Sequence, residues 1–139
     1  MARRDAYIEH LTQVPLFSAC SKDELRKVAT RTADIPIAEG HVLCREGERG
    51  LEFFVIVNGR AKVTRKGRKV GELGPGDFFG ELALLIDADR NATVTALTPM
   101  EAIVLSRRDF EAALADAPRM TRKIMQGMAR RLAAFDSKV

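Results

Sequence analysis

The sequence predicts an α+β fold, an eight-stranded antiparallel β-barrel of the jelly-roll type with helices before it and two helices after it. Apolar residues recur at helical spacing over 1–32, alternate with a period of two over 33–106, and return to helical spacing over 107–136. Short strands separated by glycine, asparagine and proline are typical of barrels and jelly rolls. No boundary divides the 139 residues, so we treat 1–139 as a single domain.

Composition narrows the classes of protein that the chain can belong to. Hydrophobic residues make up 46% and charged residues 30%, as in globular domains. No apolar run approaches the roughly 20 residues that a membrane helix needs, so we expect no membrane partner. Two cysteines fit a reducing cytoplasm better than a disulfide framework. The net charge of +4 is concentrated in one hairpin and the last helix, and we interpret it as solvated surface charge.

The N-terminal region predicts two helices. Tyr7, Ile8, Leu11 and Val14 recur at helical spacing, and Pro15 ends that pattern. Ser21 with Glu24 three residues later forms the capping-box pattern that starts a second helix.

Eight strands are predicted between turn signals, and the pair Asn58-Gly59 predicts a tight hairpin between two of them. Helical spacing then predicts one helix over 107–117 and another from Pro118. The last helix carries an apolar stripe, which suggests homodimer packing. The predicted strands are 33–38, 41–45, 52–57, 60–66, 68–74, 77–79, 91–97 and 100–105, and the stripe comprises Met120, Ile124, Met128, Leu132 and Phe135.

A helical interruption at 80–89 inside the β region carries the candidate site. Gly80 allows a ligand to approach the backbone closely, and the helix start that follows offers free N–H groups to an anion. The Glu81 carboxylate can accept a hydrogen bond from a sugar hydroxyl. The Arg90 guanidinium presents a planar set of donors that matches phosphate oxygens. Together these groups suit a phosphorylated sugar.

The run FGELALL followed by RNATV resembles the phosphate-binding cassette of the cyclic-nucleotide-binding domain family, here spanning 79–93. The stretches VPLFSACSKDELRKVA, EGERGLEFFVIVNGRAKV and ELGPGDFF are similar to other parts of that family, and the closing helix resembles that of catabolite activator-type sensor domains. The resemblance implies a regulatory sensor that binds cyclic nucleotide and is not an enzyme. It implies that the last helices, 107–136, move when ligand binds.

The resemblance also implies a role for each cassette residue. Glu81 would accept the ribose 2′-hydroxyl and Arg90 would pair with the cyclic phosphate. Asp89 stands where relatives often have proline, and it could compete for the guanidinium. Backbone or polar contacts would come from Gly80, Leu82, Ala83 and Asn91.

The resemblance implies that the base contacts the barrel strands, the cassette and the last helix. Val63, Val70 and Leu73 match positions that line the base pocket in relatives, and plain barrel core is an equal interpretation. Ala92 stands where cGMP-preferring relatives often carry threonine, so cAMP is favoured over cGMP. On the last helix, Arg131 would reach Glu81 or the phosphate and Phe135 would stack on the base; a solvated arginine and helix packing are the alternatives.

The sequence favours catalysis and nucleic-acid binding less than a sensor function. The chain has two histidines, His10 and His41, too few for a metal-dependent phosphodiesterase or a cupin site, so we expect no metal and no catalysis. It ends before any helix-turn-helix, so we expect no nucleic-acid partner for this chain alone. The alternatives left open are the sensor half of a truncated DNA-binding regulator, the sensor module of a channel or kinase, and a ligand-independent dimerisation domain.

Overall fold

The computed structural model describes residues 2–135, and the side chains of residues 6–134. Over this range every predicted strand is present, with each end within two residues of its predicted position. The elements are α1 Ala2–Thr12, α2 Lys22–Ala29, β1 Ala33–Ile37, β2 Val42–Cys44, β3 Glu52–Asn58, β4 Ala61–Arg65, β5 Arg68–Leu73, β6 Phe78–Phe79, α3 Glu81–Leu85, β7 Thr93–Ala96, β8 Met100–Ser106, α4 Arg107–Asp116 and α5 Pro118–Phe135.

The strands form two antiparallel four-stranded sheets. One has the order β1-β8-β3-β6 and the other β2-β7-β4-β5. The jelly-roll prediction is therefore confirmed, but "barrel" is accurate only loosely, because these two sheets are not joined into a closed cylinder. The edge strands β2 and β6 have only three and two residues, and such short edges offer little for closing a cylinder.

Alternating residues of both sheets share one apolar core. Phe54 of β3 and Phe79 of β6 stack with their ring centroids 4.8 Å apart, which fixes β6 at the point where the chain leaves for α3. Because side chains of a strand alternate between faces, this core accounts for the period of two in the sequence. Its buried members are Ile37, Phe54, Ile56, Ala61, Phe79, Val94, Ala96, Met100, Ala102 and Val104.

The prediction of a tight hairpin at Asn58-Gly59 was wrong. The strands on either side, β3 and β4, belong to different sheets, so the pair makes a crossing between sheets. Gly59 has φ +91° and packs so tightly that a Cβ there would lie 2.6 Å from the Pro99 carbonyl oxygen and 2.7 Å from Met100 Cγ. The glycine is needed for this long-range contact, and local sequence rules cannot distinguish that requirement from a tight turn.

A two-residue hairpin does occur at Lys66-Gly67, between β4 and β5. Both residues have positive φ, +53° and +77°. This is the backbone of a type I′ turn, the form that matches the twist of paired strands.

The described residues divide into two compact units, residues 31–111 and residues 2–30 with 112–135. Within the helical unit, Ser21 and Glu24 form the predicted capping box at the start of α2. The Glu24 carboxylate also accepts hydrogen bonds from the main-chain N–H of Arg119, at 3.3 Å, and from its guanidinium, at 2.8 Å. One buried carboxylate thus stabilises the starts of two helices. Between Ala2 and Phe135 no helix has both the length and the apolar character of a membrane span.

Ionisation of Glu24 should link the stability of the helical unit to pH. Desolvation opposes the charged form, but hydrogen bonds from Ser21 and Arg119 outweigh it and lower the Glu24 pKa from 4.5 to about 2. A lowered folded-state pKa stabilises the fold above the unfolded value, and this contribution is lost as pH falls from about 4.5 towards 2.

We therefore expect Glu24→Gln to lower the free energy of unfolding by about 2 kcal/mol at pH 7, measured by urea denaturation. The difference from wild type should shrink as pH falls from 4.5 to 2.5. Glu9→Gln on the exposed face of α1 is the control and should change little. An equal effect of Glu24→Gln at pH 7 and pH 2.5 would contradict this explanation.

Candidate functional site

Gly80 is the turning point between β6, Phe78–Phe79, and the short helix α3, Glu81–Leu85. Its φ is +99°, a conformation that side chains other than glycine rarely adopt. A Cβ at this position would lie 2.7 Å from the Glu52 carbonyl oxygen and 2.8 Å from Nη1 of Arg90. Both backbone conformation and space therefore require glycine here, and the space that it leaves is filled by the guanidinium.

Arg90 is buried, with 7% of its surface exposed. Its main chain is fixed on both sides, because Arg90 N donates to Glu48 O and Gly47 N donates to Arg90 O, each at 2.8 Å. Its guanidinium donates from Nη1 to Gly80 O at 3.0 Å and from Nη2 to Glu52 O at 2.5 Å. Two neutral carbonyl dipoles thus hold a buried cation in a fixed orientation.

Charge burial is concentrated at this segment. In the described part of the chain three charged side chains are buried, namely Glu24, Glu81 and Arg90, and the last two lie within the cassette. Glu81 is the first residue of α3 and is 3% exposed. Buried charges are costly and are usually kept for a partner or a function.

Asp89, the predicted competitor for the guanidinium, is exposed. Its main chain forms an isolated bridge with Arg49. Within residues 6–134 the hydrogen bonds of the Arg90 side chain end on carbonyl oxygens and none ends on the Asp89 carboxylate.

Gly50 is a site residue that sequence reasoning missed. It is buried, and a Cβ there would lie 2.5 Å from Ala83 Cβ and 3.1 Å from both Cζ and Nε of Arg90. The absence of a side chain at Gly50 thus makes room for both α3 and the guanidinium. The only sequence signal was a glycine in a polar loop, which is typical of an ordinary turn.

Arg107, the first residue of α4, was also missed. Its Nη2 donates to Gly50 O at 3.2 Å and pairs with Oδ1 of Asp87 at 3.1 Å. Asp87 follows α3 within the cassette and has φ +51°, an uncommon left-handed conformation, and its side chain is held by this arginine. Arg107 thereby connects the middle of the cassette, the loop under Arg90 and the start of α4.

The remaining cassette residues lie around these groups. Ala83 and Ala92 are buried, whereas Leu82 is 40% exposed. Asn91 is exposed, and its carbonyl oxygen accepts a hydrogen bond from Arg65 Nε at 2.9 Å.

Cys44 lies beside the cassette, with its Sγ 3.8 Å from Ala92 O. Burial raises the pKa of the Cys44 thiol more strongly than the positive charge of Arg90 lowers it. The side chain therefore adds no negative charge that would compete for the arginine.

The predicted base-pocket residues divide into two groups. Val63 and Leu73 are half-buried and pack against the core of the two sheets. Val70 is 54% exposed and lies at an irregularity in the pairing of β4 with β5.

The predicted lid residues lie on α5. Arg131 is exposed there, and the side chain of Phe135 lies outside the described residues. Of the predicted stripe, Met120 and Ile124 are buried, Met128 is half-buried and Leu132 is 67% exposed. The first half of the stripe is thus buried, and Leu132 in the second half is exposed to solvent.

Residues 35–117 match the family described as cyclic nucleotide-binding domain. The chain belongs to this family. The resemblance seen in the sequence is therefore confirmed, and the half-buried Gly80 and the buried Glu81 and Arg90 lie inside the matched range.

Two curated relatives are a regulatory subunit of a cAMP-dependent protein kinase and a cGMP-dependent protein kinase. The chain is 38% identical over 111 residues to a cAMP-dependent protein kinase regulatory subunit of Yarrowia lipolytica, covering 78% of this chain and 30% of the relative. It is 36% identical over 123 residues to a cGMP-dependent protein kinase of Caenorhabditis briggsae, covering 84% of this chain and 16% of the relative. The chain thus spans less than a third of the length of these relatives.

Two solved structures illustrate the shared fold. The catabolite activator protein of Thermus thermophilus has a TM-score of 0.79 at 26% identity, covering 89% of this chain and 61% of that one. The second is a triple mutant, bound to cAMP, of the regulatory subunit of a cAMP-independent protein kinase A from Trypanosoma brucei. Its TM-score is 0.78 at 29% identity, covering 90% of this chain and 48% of that one.

The contact between Gly50 and Ala83 gives a test of the packing beneath Arg90. Gly50→Ala should lower the free energy of unfolding by about 2 kcal/mol, because the new methyl group overlaps Ala83 Cβ. In an Ala83→Gly background the shortest of these contacts is removed and only those with Arg90 remain, so the same substitution should cost less. Urea denaturation of both single variants and the double variant measures the coupling.

Gly71→Ala is the matched control, since a Cβ at Gly71 would meet nothing within 4 Å. It should leave stability almost unchanged. Strictly additive effects of Gly50→Ala and Ala83→Gly would show that the two positions do not compete for this space.

Proposed function

We propose that this domain binds cAMP in preference to cGMP and acts as a regulatory sensor. The observation that supports the proposal most directly is the buried Arg90, which carbonyl oxygens of Gly80 and Glu52 orient next to the cassette. A guanidinium offers five N–H donors and can bind two phosphate oxygens at once. Because the protein has already removed water from this cation, an anionic ligand would gain a strong, charge-assisted interaction.

The other cassette groups suit the sugar of such a ligand. The Glu81 carboxylate would accept a hydrogen bond from the ribose 2′-hydroxyl. Main-chain N–H groups in the first turn of α3, at Leu82 and Ala83, would donate to phosphate or ribose oxygens. The site thus offers a cation for the phosphate and an acceptor for the hydroxyl, as a cyclic nucleotide requires.

Two observations favour cAMP. Ala92 is buried and its methyl side chain offers no hydroxyl to the guanine amino group. In the cAMP-bound Trypanosoma mutant, alanine replaces glutamate, and arginine and alanine replace threonine and valine seven and eight positions later. This chain has Ala83 and, seven positions later, Arg90, followed by Asn91. Two of the three positions thus carry the residues of the cAMP-bound mutant.

The proposed role is binding and not catalysis, in the cytoplasm, without a metal. Relatives named as regulatory subunits support the regulatory part. Two free cysteines, Cys20 and Cys44, support a reducing compartment.

A homodimer through α5 is a second candidate interaction. Met125 and Leu132 are 62% and 67% exposed on this helix, and large exposed apolar side chains on one helix favour association. This surface would serve a sensor, a regulator with further domains or a ligand-independent dimerisation domain equally.

Arg107 supplies a route from ligand to helix. It binds Gly50 O, beneath Arg90, and the side chain of Asp87, which follows α3 within the cassette. A ligand that draws the cassette inward changes both partners of Arg107, and α4 begins at that residue. We therefore propose that cAMP binding shifts α4 and α5, provided that the ligand has different affinities for the two arrangements.

Calorimetric titration tests the binding proposal. Wild-type protein should bind cAMP saturably, and Arg90→Ala should weaken binding by about two to three orders of magnitude, or ~3–4 kcal/mol. Arg108→Ala, which removes an exposed arginine of α4, is the matched control and should bind like wild type. Equal affinities of wild type and Arg90→Ala would remove Arg90 from the site.

Hydrogen–deuterium exchange tests the proposed movement. Saturating cAMP should change amide exchange in the cassette and in α4, and Arg107→Ala should reduce the change in α4 while the cassette still responds. If saturation left exchange over 107–135 unaltered in wild-type protein, ligand-driven movement of these helices would be excluded.

A further inference from the structure

We propose that a basic pocket in the helical unit binds a small phosphate-type oxyanion, such as inorganic phosphate or pyrophosphate. The pocket is formed by residues of α5 and of the turn that precedes α2. None of these residues belongs to the cassette, so this inference does not depend on the proposed cyclic-nucleotide function. It assigns a role to cations of α5 that the sequence suggested were only solvated surface charge.

One face of α5 forms most of the pocket. Positions 122, 123 and 126 follow position 119 by three, four and seven residues, so the four side chains lie on the same side of the helix. A single residue of the turn before α2 completes the lining. The cavity has a volume of about 240 Å³, and it is lined by Ala19, Arg119, Arg122, Lys123 and Gln126.

The turn that carries Ala19 is fixed by its own backbone. Ser18 N donates to Pro15 O at 3.4 Å and Cys20 N donates to Phe17 O at 3.0 Å. The Phe17 side chain is completely buried and anchors the turn. Ala19 itself is exposed, and its methyl group leaves open the space that a longer side chain would fill. A ligand would therefore enter a wall that is already ordered, which lowers the entropic cost of binding.

The pocket carries more positive charge than the neighbouring carboxylate balances. Arg119 Nη1 donates to Glu24 Oε1 at 2.8 Å, so these two charges form a pair. In the described part of the chain no hydrogen bond or ion pair involves the side chain of Arg122 or of Lys123. The sequence of α5 contains no acidic residue that could neutralise them. Like charges three or four residues apart on a helix repel each other, and a bound anion would relieve that repulsion.

The unpaired donors suit phosphate oxygens. The Arg122 guanidinium is a planar set of donors that can bind two oxygens at once, and Lys123 adds a compact positive charge. Lys123 is half-buried, so its ammonium group attracts an anion more strongly than a fully hydrated one would. The Gln126 amide supplies further N–H donors. Together these groups match an anion with several oxygen atoms and more than one negative charge.

The size of the cavity limits the ligand to a small anion. A water molecule occupies about 30 Å³ in the liquid, so the 240 Å³ of the cavity correspond to about eight water molecules. Pockets for drug-sized ligands start at about 300 Å³ and are lined mainly by apolar and aromatic side chains. The described lining of this pocket includes no aromatic ring on which a base could stack. The pocket therefore suits phosphate or pyrophosphate better than a nucleotide.

Calorimetric titration with pyrophosphate and with inorganic phosphate, in a buffer free of other oxyanions, tests the charges of the pocket. Wild type should bind pyrophosphate saturably at one site per chain, and Arg90→Ala should bind it equally, because the cassette is not involved. Arg122→Gln and Lys123→Gln should each weaken binding by at least about tenfold. Arg130→Gln removes one exposed cation from α5 outside the pocket, and it is the matched control that should bind like wild type.

A substitution that keeps every charge tests the shape of the pocket. Ala19→Leu should weaken pyrophosphate binding by at least about tenfold, because the larger side chain occupies the cavity. Ala133→Leu makes the same change at an exposed position of α5 outside the pocket, and it should leave the affinity unchanged. Urea denaturation of both variants checks that each is folded under the conditions of the titration.

The outcomes separate this site from the cassette. The pocket is rejected if wild type binds neither anion saturably, if Arg90→Ala abolishes binding, or if Arg130→Gln weakens binding as much as Arg122→Gln. Undiminished binding by a folded Ala19→Leu variant would also reject it, since the anion would then lie elsewhere on α5. Titration of the same variants with cAMP reports on the proposed function independently, and Arg122→Gln should bind cAMP like wild type.

Discussion

The site depends on a buried guanidinium held by two main-chain carbonyl oxygens. Arg90 donates to Gly80 O, directly after β6, and to Glu52 O, at the start of β3, and these two strands pair in one sheet. The arrangement requires a residue without a side chain at Gly80, and Gly50 leaves the space beneath. Uncharged acceptors orient the arginine without neutralising it, so its positive charge remains available to an anion.

Several features of the fold hold Arg90 and its two carbonyl acceptors in place. The stacked pair Phe54 and Phe79 fixes β6 against β3, which sets the distance between the two carbonyl acceptors. Arg107 then joins the loop under the guanidinium to Asp87 in the cassette and to the start of α4. A change at the phosphate position would therefore reach a helix through a short series of polar contacts, and no rearrangement of the apolar core is required.

The sequence predicted the strands and the family well because their signals are local. A period of two marks each strand, and the segment from Gly80 to Arg90 carries its chemistry within a few residues. Gly59 and Gly50 were misread or missed because their role is to meet residues far along the chain, Met100 and Arg90, and no local pattern reports such contacts. The separation into two sheets likewise depends on which strands pair, which alternation alone does not specify.

Replacing Arg90 by lysine tests the central claim most directly, because lysine keeps the positive charge and loses the planar set of donors. In a calorimetric titration with cAMP, wild type should bind saturably and Arg90→Lys should bind at least about tenfold more weakly. Wild-type protein that binds no cAMP, or a lysine variant that binds as tightly as wild type, would contradict the claim that an oriented guanidinium holds the cyclic phosphate.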